Sequence, residues 1–322
     1  MRLPLALPSP TDRAVDAAAL GENSLDLLVV VPEHPRRNSK QKMLELTHRP
    51  GGQCATAMVA CARLGWRARY VGHFGDDPNG QSGIESLRQE GVDVDYARTI
   101  AGATSQTAVI LVDASTHDRT VIWHRHPALA MGADDVRPGA VTGARVLLVD
   151  GQDPPAATRA AAIARRAGTR TVIDIERVRP GTEALLKEID IIIASEAFPP
   201  ELTGIPATGA ALRAMFDEFR PTAACVTLGE AGSLAVCDGR EIQTPAFRVD
   251  VVDTTGAGDA FRGGFIAGWL KAGDDTDLDE ALRYASAVAA MKCRVLGARE
   301  GLPRDLDVEA FLADHPRKVA AG

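Results

Sequence analysis

Two acidic residues, Asp253 and Asp259, enclose a glycine-rich segment with the sequence Asp-Thr-Thr-Gly-Ala-Gly-Asp. Phe261, Phe265 and Trp269 then recur at four-residue intervals, which predicts that an apolar helix follows directly. The free N–H groups at a helix N-terminus favour an anion such as a phosphate or a developing oxyanion. Because a carboxylate repels phosphate, its presence there indicates a proton acceptor or a cation ligand. The combination points to phosphoryl transfer onto a hydroxyl.

A plainer interpretation of this segment is a glycine-rich loop in which Asp259 only caps a helix. The two acids, together with Gly263 and Gly264 one turn later, favour the catalytic interpretation. Residues 248–252 contain several β-branched side chains and predict a short strand that leads into the segment. No sequence of the form G-x-x-x-x-G-K-[ST] occurs, so a P-loop is excluded as the phosphate-binding element.

The composition of the whole chain limits the classes of protein that it can represent. With 322 residues, 45% of them hydrophobic, it can bury the core of one large α/β domain or of a domain with an appendage. Its net charge of −7 argues against nucleic acid or an anionic membrane as a main partner. Five cysteines without a C-x-x-C pair predict a reducing, cytoplasmic location. The short, proline-broken apolar start fits neither a signal peptide nor a membrane span.

Strand-like and helix-like segments alternate along most of the chain, which predicts an α/β fold with a doubly wound, mostly parallel sheet. The predicted strands cover residues 17–20, 68–71, 146–149, 171–175, 190–193 and 224–227. The predicted helices cover residues 56–64, 81–90, 156–167, 209–219 and 279–294. Ligands in such folds lie at the carboxyl ends of the strands. The residues at or just beyond these ends are Gly21, Asp76, Asp150, Ser195, Gly229 and Asp253.

Two insertions, at about 26–47 and 105–126, interrupt this alternation with period-two or β-branched patterns. They predict pairs of antiparallel strands at 27–31, 42–46, 106–112 and 120–124. A small inserted sheet of this kind would form a lid over the active-site edge and exclude water during phosphoryl transfer. Its exposed strand edges also predict a homodimer.

Four motifs resemble those of the ribokinase-like (PfkB-type) carbohydrate kinases in their order and spacing. The resemblance extends over nearly the whole chain, so we expect a single domain, 1–322. The motifs lie at residues 21–26, 51–80, 226–232 and 253–264. The Gly51-Gly52-Gln53 opening and the Ser195-Glu196 pair are most similar to the ketohexokinase-like branch.

The resemblance implies a catalytic role for the last motif. Asp259 would accept the proton of the acceptor hydroxyl, and the adjacent backbone would form an anion hole for the transferring phosphoryl group. The anion-hole residues would be Gly256, Ala257, Gly258 and Asp259. Asp253 and Thr255 would lie near a monovalent cation site that holds K⁺.

The resemblance also implies the substrate contacts. The sugar would be bound by Asn23, Asp26, Gly51, Gly52 and Gln53, and ATP by Ser195, Thr227, Gly229 and Gly232. Many members hold Mg²⁺ with an N-x-x-E motif, but Ser195 and Phe198 stand at those positions here, which leaves Glu196 as the candidate magnesium ligand. The plainer alternatives remain a strand-end acid at Asp26, a helix-start residue at Gln53, a turn at Thr227 and a solvated acid at Glu196.

We expect the acceptor to be a neutral ketose such as fructose, with an anionic sugar as the second candidate. Arg119, Trp123, Arg125 and His126 lie on or beside the predicted lid strands. If Arg125 and its neighbours face the site, they favour an anionic sugar; if they face solvent, they do not. A nucleoside is a third candidate, and a non-catalytic sugar or nucleotide sensor on the same scaffold is the alternative from another class.

Overall fold

In the computed structural model, which describes residues 1–116 and 118–317, strands and helices alternate along the chain. The strands are β1 (Ala17–Leu20), β2 (Ser24–Val31), β3 (Glu45–Gly51), β4 (Ala68–Val71), β5 (His73–Gly75), β6 (Arg98–Ile100), β7 (Thr107–Asp113), β8 (Arg119–His124), β9 (Val146–Asp150), β10 (Arg170–Ile175), β11 (Ile191–Ser195), β12 (Ala223–Thr227), β13 (Ser233–Cys237) and β14 (Arg240–Thr244). The helices are α1 (Gln53–Arg63), α2 (Pro78–Gln89), α3 (Pro138–Thr142), α4 (Pro154–Arg166), α5 (Thr182–Leu186), α6 (Phe198–Thr203), α7 (Thr208–Phe219), α8 (Ala257–Ala272), α9 (Leu278–Lys292) and α10 (Asp305–Asp314). Among the described residues, no helix combines the length and the apolar composition that crossing a bilayer requires.

The central sheet contains eight strands in the order β14-β13-β12-β11-β10-β9-β1-β4. The strands from β4 to β12 pair in parallel, whereas β13 and β14 are antiparallel additions at one edge. Ala17 and Ala19 of β1 belong to one apolar cluster, and Ala18 and Leu20 to another. Because successive side chains point to opposite faces of a sheet, both faces are covered. The predicted doubly wound architecture is therefore confirmed.

The two insertions form a separate four-stranded sheet, which we call the lid, in the order β3-β2-β7-β8. β2 pairs antiparallel with β3 and β7 with β8, as predicted, while the two central strands, β2 and β7, are parallel. The second lid strand lies at Glu45–Gly51, and not at 42–46 as predicted. It includes Pro50, which would interrupt a central strand but is tolerated in β3 because this strand lies at the sheet edge.

Residues 248–252 do not form the predicted strand. Val251 and Val252 are exposed, and the Val252 N–H donates to the carbonyl oxygen of Cys293 at 2.8 Å, in the segment that follows α9. β-branched residues favour extended backbone, but a strand also needs a neighbouring strand to pair with. The sheet already ends with β14, so this segment continues as irregular backbone toward the glycine-rich motif.

The helix α8 begins within the glycine-rich motif, at Ala257, and packs closely against α1. Its predicted apolar face is confirmed, because Phe261, Phe265 and Trp269 are each at most 4% exposed. Gly263 allows the two helices to approach, since a Cβ atom there would lie only 2.6 Å from the Cβ of Ala60. This contact fixes the position of the α8 N-terminus relative to the sheet.

The helix contact at Gly263 leads to a stability prediction. Gly263→Ala places a methyl group 2.7 Å from the carbonyl oxygen of Ala57, and we expect it to lower the free energy of unfolding by about 1–3 kcal/mol. Gly209→Ala in α7 is the matched control, because its nearest neighbour, Leu234, is at an ordinary 3.5 Å. Urea denaturation measures both, and equal stability of Gly263→Ala and the wild type would show that α1 and α8 are not tightly packed.

Candidate active site

A cavity of about 1610 Å³ opens at the carboxyl ends of the parallel strands, between the central sheet and the lid. The predicted site residues that line it are Asp26, Gly52, Gln53, Ser195, Thr227, Gly229, Gly232, Thr255, Gly256, Ala257, Gly258 and Asp259. The predicted site residues outside the lining are Asn23, Gly51, Arg125, Glu196 and Asp253. The fold therefore brings motifs from distant parts of the chain to one cavity.

The glycine-rich motif is held in shape by the buried carboxylate of Asp253. One of its oxygens accepts hydrogen bonds from the N–H and the hydroxyl of Thr255, at 2.8 and 2.7 Å. The other accepts the N–H of Gly297 at 2.8 Å. Gly256 has a left-handed φ of 76°, and a Cβ atom there would lie 2.8 Å from Ala298. Only glycine allows this turn so close to a neighbouring segment.

The turn at Gly256 starts α8 with its first residues facing the cavity. The Ala257 N–H donates to the carbonyl oxygen of Thr254 at 3.1 Å. The next two N–H groups, of Gly258 and Asp259, belong to the first helical turn, which provides no intrahelical acceptor for them. They line the cavity at the positive end of the α8 dipole, where a negatively charged group is stabilised.

Asp259 lies at this helix start, and burial raises its pKa to about 6, against the opposing effect of Arg262. Arg262 forms a buried ion pair with Asp174, with Nη2 and Oδ1 2.9 Å apart. Arg262 also explains why residue 258 is glycine, because a Cβ atom there would lie 2.6 Å from its Nη1. Sequence reasoning missed this pair, although Arg262 follows Asp259 by one helical turn and Asp174 lies within the predicted strand 171–175.

Asp26 lines the same cavity and is positioned by the start of the lid. The Ser24 hydroxyl donates to its carboxylate at 2.7 Å, and burial raises the pKa of Asp26 to about 6. Gly51 leaves room for this carboxylate, since a Cβ atom there would lie 2.1 Å from the Asp26 Oδ2. Arg299 fixes the same turn by donating to the carbonyl oxygen of Gly51 at 2.6 Å.

The structure places Asn23 below the cavity surface, where its amide donates to the Tyr70 hydroxyl at 2.6 Å and to the His73 carbonyl at 2.9 Å. Its neighbour Glu22 lines the cavity instead and accepts a hydrogen bond from Gln106, which lines it as well. Burial, and then the charge of the neighbouring Asp150, raise the pKa of Glu22 to about 8. Glu22 and Gln106 were not predicted, and their only sequence signal is their position at strand ends.

The lid contributes Arg119 and Trp123 to the cavity lining, but not Arg125. The Arg125 guanidinium donates to both carboxylate oxygens of Asp153, at 2.8 and 2.6 Å, and to the carbonyl oxygen of Leu129. Its charge is therefore paired within the protein. Arg119 reaches across the cavity and donates to the Thr254 hydroxyl at 2.5 Å, which connects the lid to the glycine-rich motif.

The predicted nucleotide residues lie where β12 ends. Thr227 is the last residue of β12, and a short 3₁₀ turn carries Gly229. Gly232 follows with a φ of 92°, and a Cβ atom there would lie 2.0 Å from the carbonyl oxygen of Thr244. Glycine permits this close approach of two backbone segments, and both Gly229 and Gly232 line the cavity, where they leave room for a nucleotide phosphate.

The structure separates the candidate magnesium residues. Ser195 lines the cavity and donates weakly to the carbonyl oxygen of Glu176, at 3.4 Å, whereas Glu196 is exposed outside the lining. Glu176, which sequence reasoning missed, lines the cavity. Within residues 1–116 and 118–317, no three metal-ligating side chains come together. One carboxylate together with substrate phosphates is, however, a usual environment for Mg²⁺, so the residues present fit this ion.

Comparison with known proteins identifies the class of this protein. The pfkB family carbohydrate kinase model matches residues 15–305, and the chain belongs to this family. It is 31% identical over 318 residues to the aminoimidazole riboside kinase of Salmonella typhimurium, covering 92% of this chain and 94% of that protein. It is 31% identical over 283 residues to a fructokinase of Klebsiella pneumoniae, covering 82% and 92%. The protein is therefore a carbohydrate kinase.

Structural comparison agrees with this assignment. The crystal structure of a proposed ribokinase from Agrobacterium tumefaciens has a TM-score of 0.87 and 26% sequence identity to this chain. The similarity covers 94% of this chain and 99% of that structure. The predicted ribokinase-like fold is therefore confirmed over nearly its whole length.

The raised pKa of Asp259 leads to a prediction for the pH dependence of the enzyme. A general base must be ionised, and with a pKa of about 6 Asp259 becomes protonated as the pH falls below that value. We expect kcat/KM to be constant at neutral pH and to fall about tenfold per pH unit below about 6. Initial rates of ADP release between pH 4.5 and 8 measure this profile.

Asp26, whose pKa is also about 6, provides the control for this profile. If only Asp259 must be ionised, Asp26→Asn lowers the rate but keeps the acid limb. If both must be ionised, the wild-type limb approaches a slope of two and the variant shows a slope of one. If kcat/KM of the wild type instead falls only at about pH 4, the ordinary aspartate pKa, a buried carboxylate with a raised pKa is not the base.

Proposed function

We propose that this protein transfers the γ-phosphoryl group of MgATP to a hydroxyl of a small neutral carbohydrate, with a ketose such as fructose favoured. The observation that carries this proposal is the position of Asp259. It lies at the helix start in a cavity that also contains the acceptor-side Asp26 and the nucleotide-side Gly229. A proton acceptor in the same cavity as the acceptor-side and nucleotide-side residues is what transfer to a hydroxyl requires.

In this mechanism each group of the cavity has one task. Asp259 orients the acceptor hydroxyl and takes its proton as the oxygen attacks the γ-phosphorus. The N–H groups of Gly258 and Asp259 donate to the phosphoryl oxygens, whose charge is distributed in the transition state. Arg119 and the lid exclude water from the reacting groups. Mg²⁺, when bound, would neutralise phosphate charge, with Glu176 as the carboxylate available to hold it.

The charges at the acceptor end support a neutral substrate. Glu22 and Asp26 line this end, together with the amides of Gln53 and Gln106. Such side chains hydrogen bond to vicinal hydroxyls. The Asp26 carboxylate, which a pKa of about 6 leaves ionised at neutral pH, repels a phosphate, sulfonate or acid group, whereas Glu22, with a pKa of about 8, is mostly neutral there. Of the two lid arginines that would favour an anionic sugar, Arg125 is paired with Asp153, and Arg119 donates to the Thr254 hydroxyl of the glycine-rich motif. The similarity to a fructokinase supports a ketose among the neutral sugars.

A nucleoside is the second candidate acceptor, and it is supported by Trp123. This lid residue lines the cavity and is 48% exposed, so one face of its indole could stack on a base. The similarity to an aminoimidazole riboside kinase points in the same direction. The two candidates differ in what they need from Trp123, because a free ketose has no aromatic ring to stack on it.

A substrate panel tests the proposed function. ADP release is measured with MgATP and fructose, tagatose, aldoses, phosphorylated and acid sugars, and nucleosides. We expect the largest kcat/KM for a neutral ketose, and Asp259→Asn should lower turnover at least about 100-fold without weakening ATP binding. Asp238→Asn, the same change in an exposed turn, is the matched control.

The outcomes of this panel distinguish the hypotheses. Undiminished turnover in Asp259→Asn would contradict the assigned base. A preference for a nucleoside that is lost in Trp123→Ala would replace the ketose by the second candidate. No ADP release with any acceptor, while ATP still binds, would support the non-catalytic sensor instead.

The cytoplasmic location stays a prediction.

We further propose that the protein is a homodimer joined through its lids. On and beside the edge strands of the lid, four large apolar side chains that do not line the cavity are exposed: Met43, Leu44, Leu46 and Ile122. β3 and β8 are also edge strands, which a second copy would cover. Light scattering should give twice the chain mass, and Leu44→Glu should reduce it to one chain, with Leu306→Glu as the control for an exposed leucine elsewhere. A monomeric wild type would refute this proposal.

A further inference from the structure

Lys292, the last residue of α9, has no solvent-exposed side-chain surface. Its Nζ donates to the carbonyl oxygen of Asp253 at 2.7 Å and lies 4.0 Å from the carboxylate oxygen Oδ2 of the same residue. A lysine is almost never fully buried unless it is paired with an opposite charge. Here the partner is the buried carboxylate that holds the glycine-rich motif in shape.

The surroundings of Lys292 are two chain segments that meet beneath the predicted anion hole. The N–H groups of Val252 and Asp253 donate to the carbonyl oxygen of Cys293, at 2.8 and 3.2 Å. Gly297 donates to the Asp253 carboxylate, and the backbone of Ala298 contacts the turn at Gly256. The ammonium group therefore lies at the junction that sets the conformation of the α8 N-terminus.

This position is where the family resemblance predicted a monovalent cation, close to Asp253 and Thr255. The residues present do not fit such an ion. The Asp253 carbonyl oxygen already accepts from Lys292, and both carboxylate oxygens accept from Thr255 and Gly297. A K⁺ ion bound to the same oxygens would also lie beside the fully buried ammonium group, where the repulsion between like charges is stronger than in bulk water.

We propose that the Lys292 ammonium group replaces the monovalent cation and acts as a positioning residue for the anion hole. It places one positive charge next to the Asp253 carboxylate. It also fixes, by a hydrogen bond, the position of the Asp253 carbonyl oxygen, which precedes the Gly256 turn. The 2.7 Å bond has the short length of a charge-assisted hydrogen bond. Burial lowers the pKa of Lys292, while the charge of Asp253 favours its protonated form.

The inference rests on the proposed role of residues 256–259, and it predicts that the enzyme does not require K⁺. Turnover is compared in potassium chloride and in choline chloride at equal ionic strength. We expect rates that agree within about two-fold, because screening is the same in both salts. The melting temperature should likewise show no saturable increase with K⁺. A wild type that needs K⁺ for activity, or is stabilised by it at a saturable site, would overturn the inference.

Two variants of Lys292 test the role directly. Lys292→Met removes the charge and should reduce kcat at least about 10-fold in either salt, as expected when an anion hole is misplaced. Lys292→Ala removes the charge and leaves space for a cation. K⁺ or NH₄⁺ should therefore restore the activity of this variant in a saturable manner and raise the melting temperature of the variant. Lys187→Met, the same change at an exposed lysine, is the control. A Lys292→Met variant with wild-type kcat would exclude the positioning role.

The melting measurements separate this inference from the proposed function. If the assigned acceptor or base is wrong, the activity data change, but the cation-dependent stabilisation of Lys292→Ala remains. If Lys292 has only a structural role, Lys292→Ala loses stability and no monovalent cation restores it. Lys292→Ala could fail to fold in choline chloride. In that case, recovery of the folded state in potassium chloride supports the inference. If the variant fails to fold in both salts and the wild type requires K⁺, the inference is refuted.

Discussion

The buried carboxylate of Asp253 is the interaction on which the rest of the site depends. Removing the partners of a buried charge costs about 3–5 kcal/mol, so this carboxylate strongly favours a conformation in which all its partners are present. Those partners come from three places: Thr255 two residues later, Lys292 at the end of α9, and Gly297 beyond it. Their convergence determines where the Gly256 turn lies and hence where α8 begins.

A second buried pair, Arg262 with Asp174, influences the pKa of Asp259, the residue that we propose as the base. Burial alone would raise the pKa of Asp259 further, and the Arg262 charge opposes this rise. Arg262 is itself shared with Asp174, so its attraction for Asp259 is only partial. The result is a carboxylate with a pKa of about 6, which is ionised at neutral pH yet basic enough to accept a proton. A fully compensating arginine would leave a weaker base.

The sequence predicted the features that depend on neighbouring residues, and it missed those that depend on distant ones. Hydrophobic periodicity located α8 and the parallel strands, and the local run of glycines and acids located Asp259 and the helix start. The edge strand β3 was misplaced because Pro50 argues against a strand unless its position in the sheet is known. Two contacts join residues that are far apart in sequence: the ion pair between Arg125 and Asp153 and the contact between Lys292 and Asp253. No local sequence pattern predicts either of them.

The distribution of charge in the cavity also bears on product release. Before transfer, a neutral acceptor can lie beside Glu22, Asp26 and Asp259 without repulsion. After transfer in the proposed mechanism, the product carries a phosphate close to the ionised Asp26, so the site that accepts the neutral sugar repels its phosphorylated product. The Arg119 contact that connects the lid to Thr254 is an exposed hydrogen bond, worth only about 0.5–1.5 kcal/mol. This one contact between the lid and the glycine-rich motif can therefore break at little cost once the product is formed, while the buried network around Asp253 keeps the proposed anion hole intact for the next cycle.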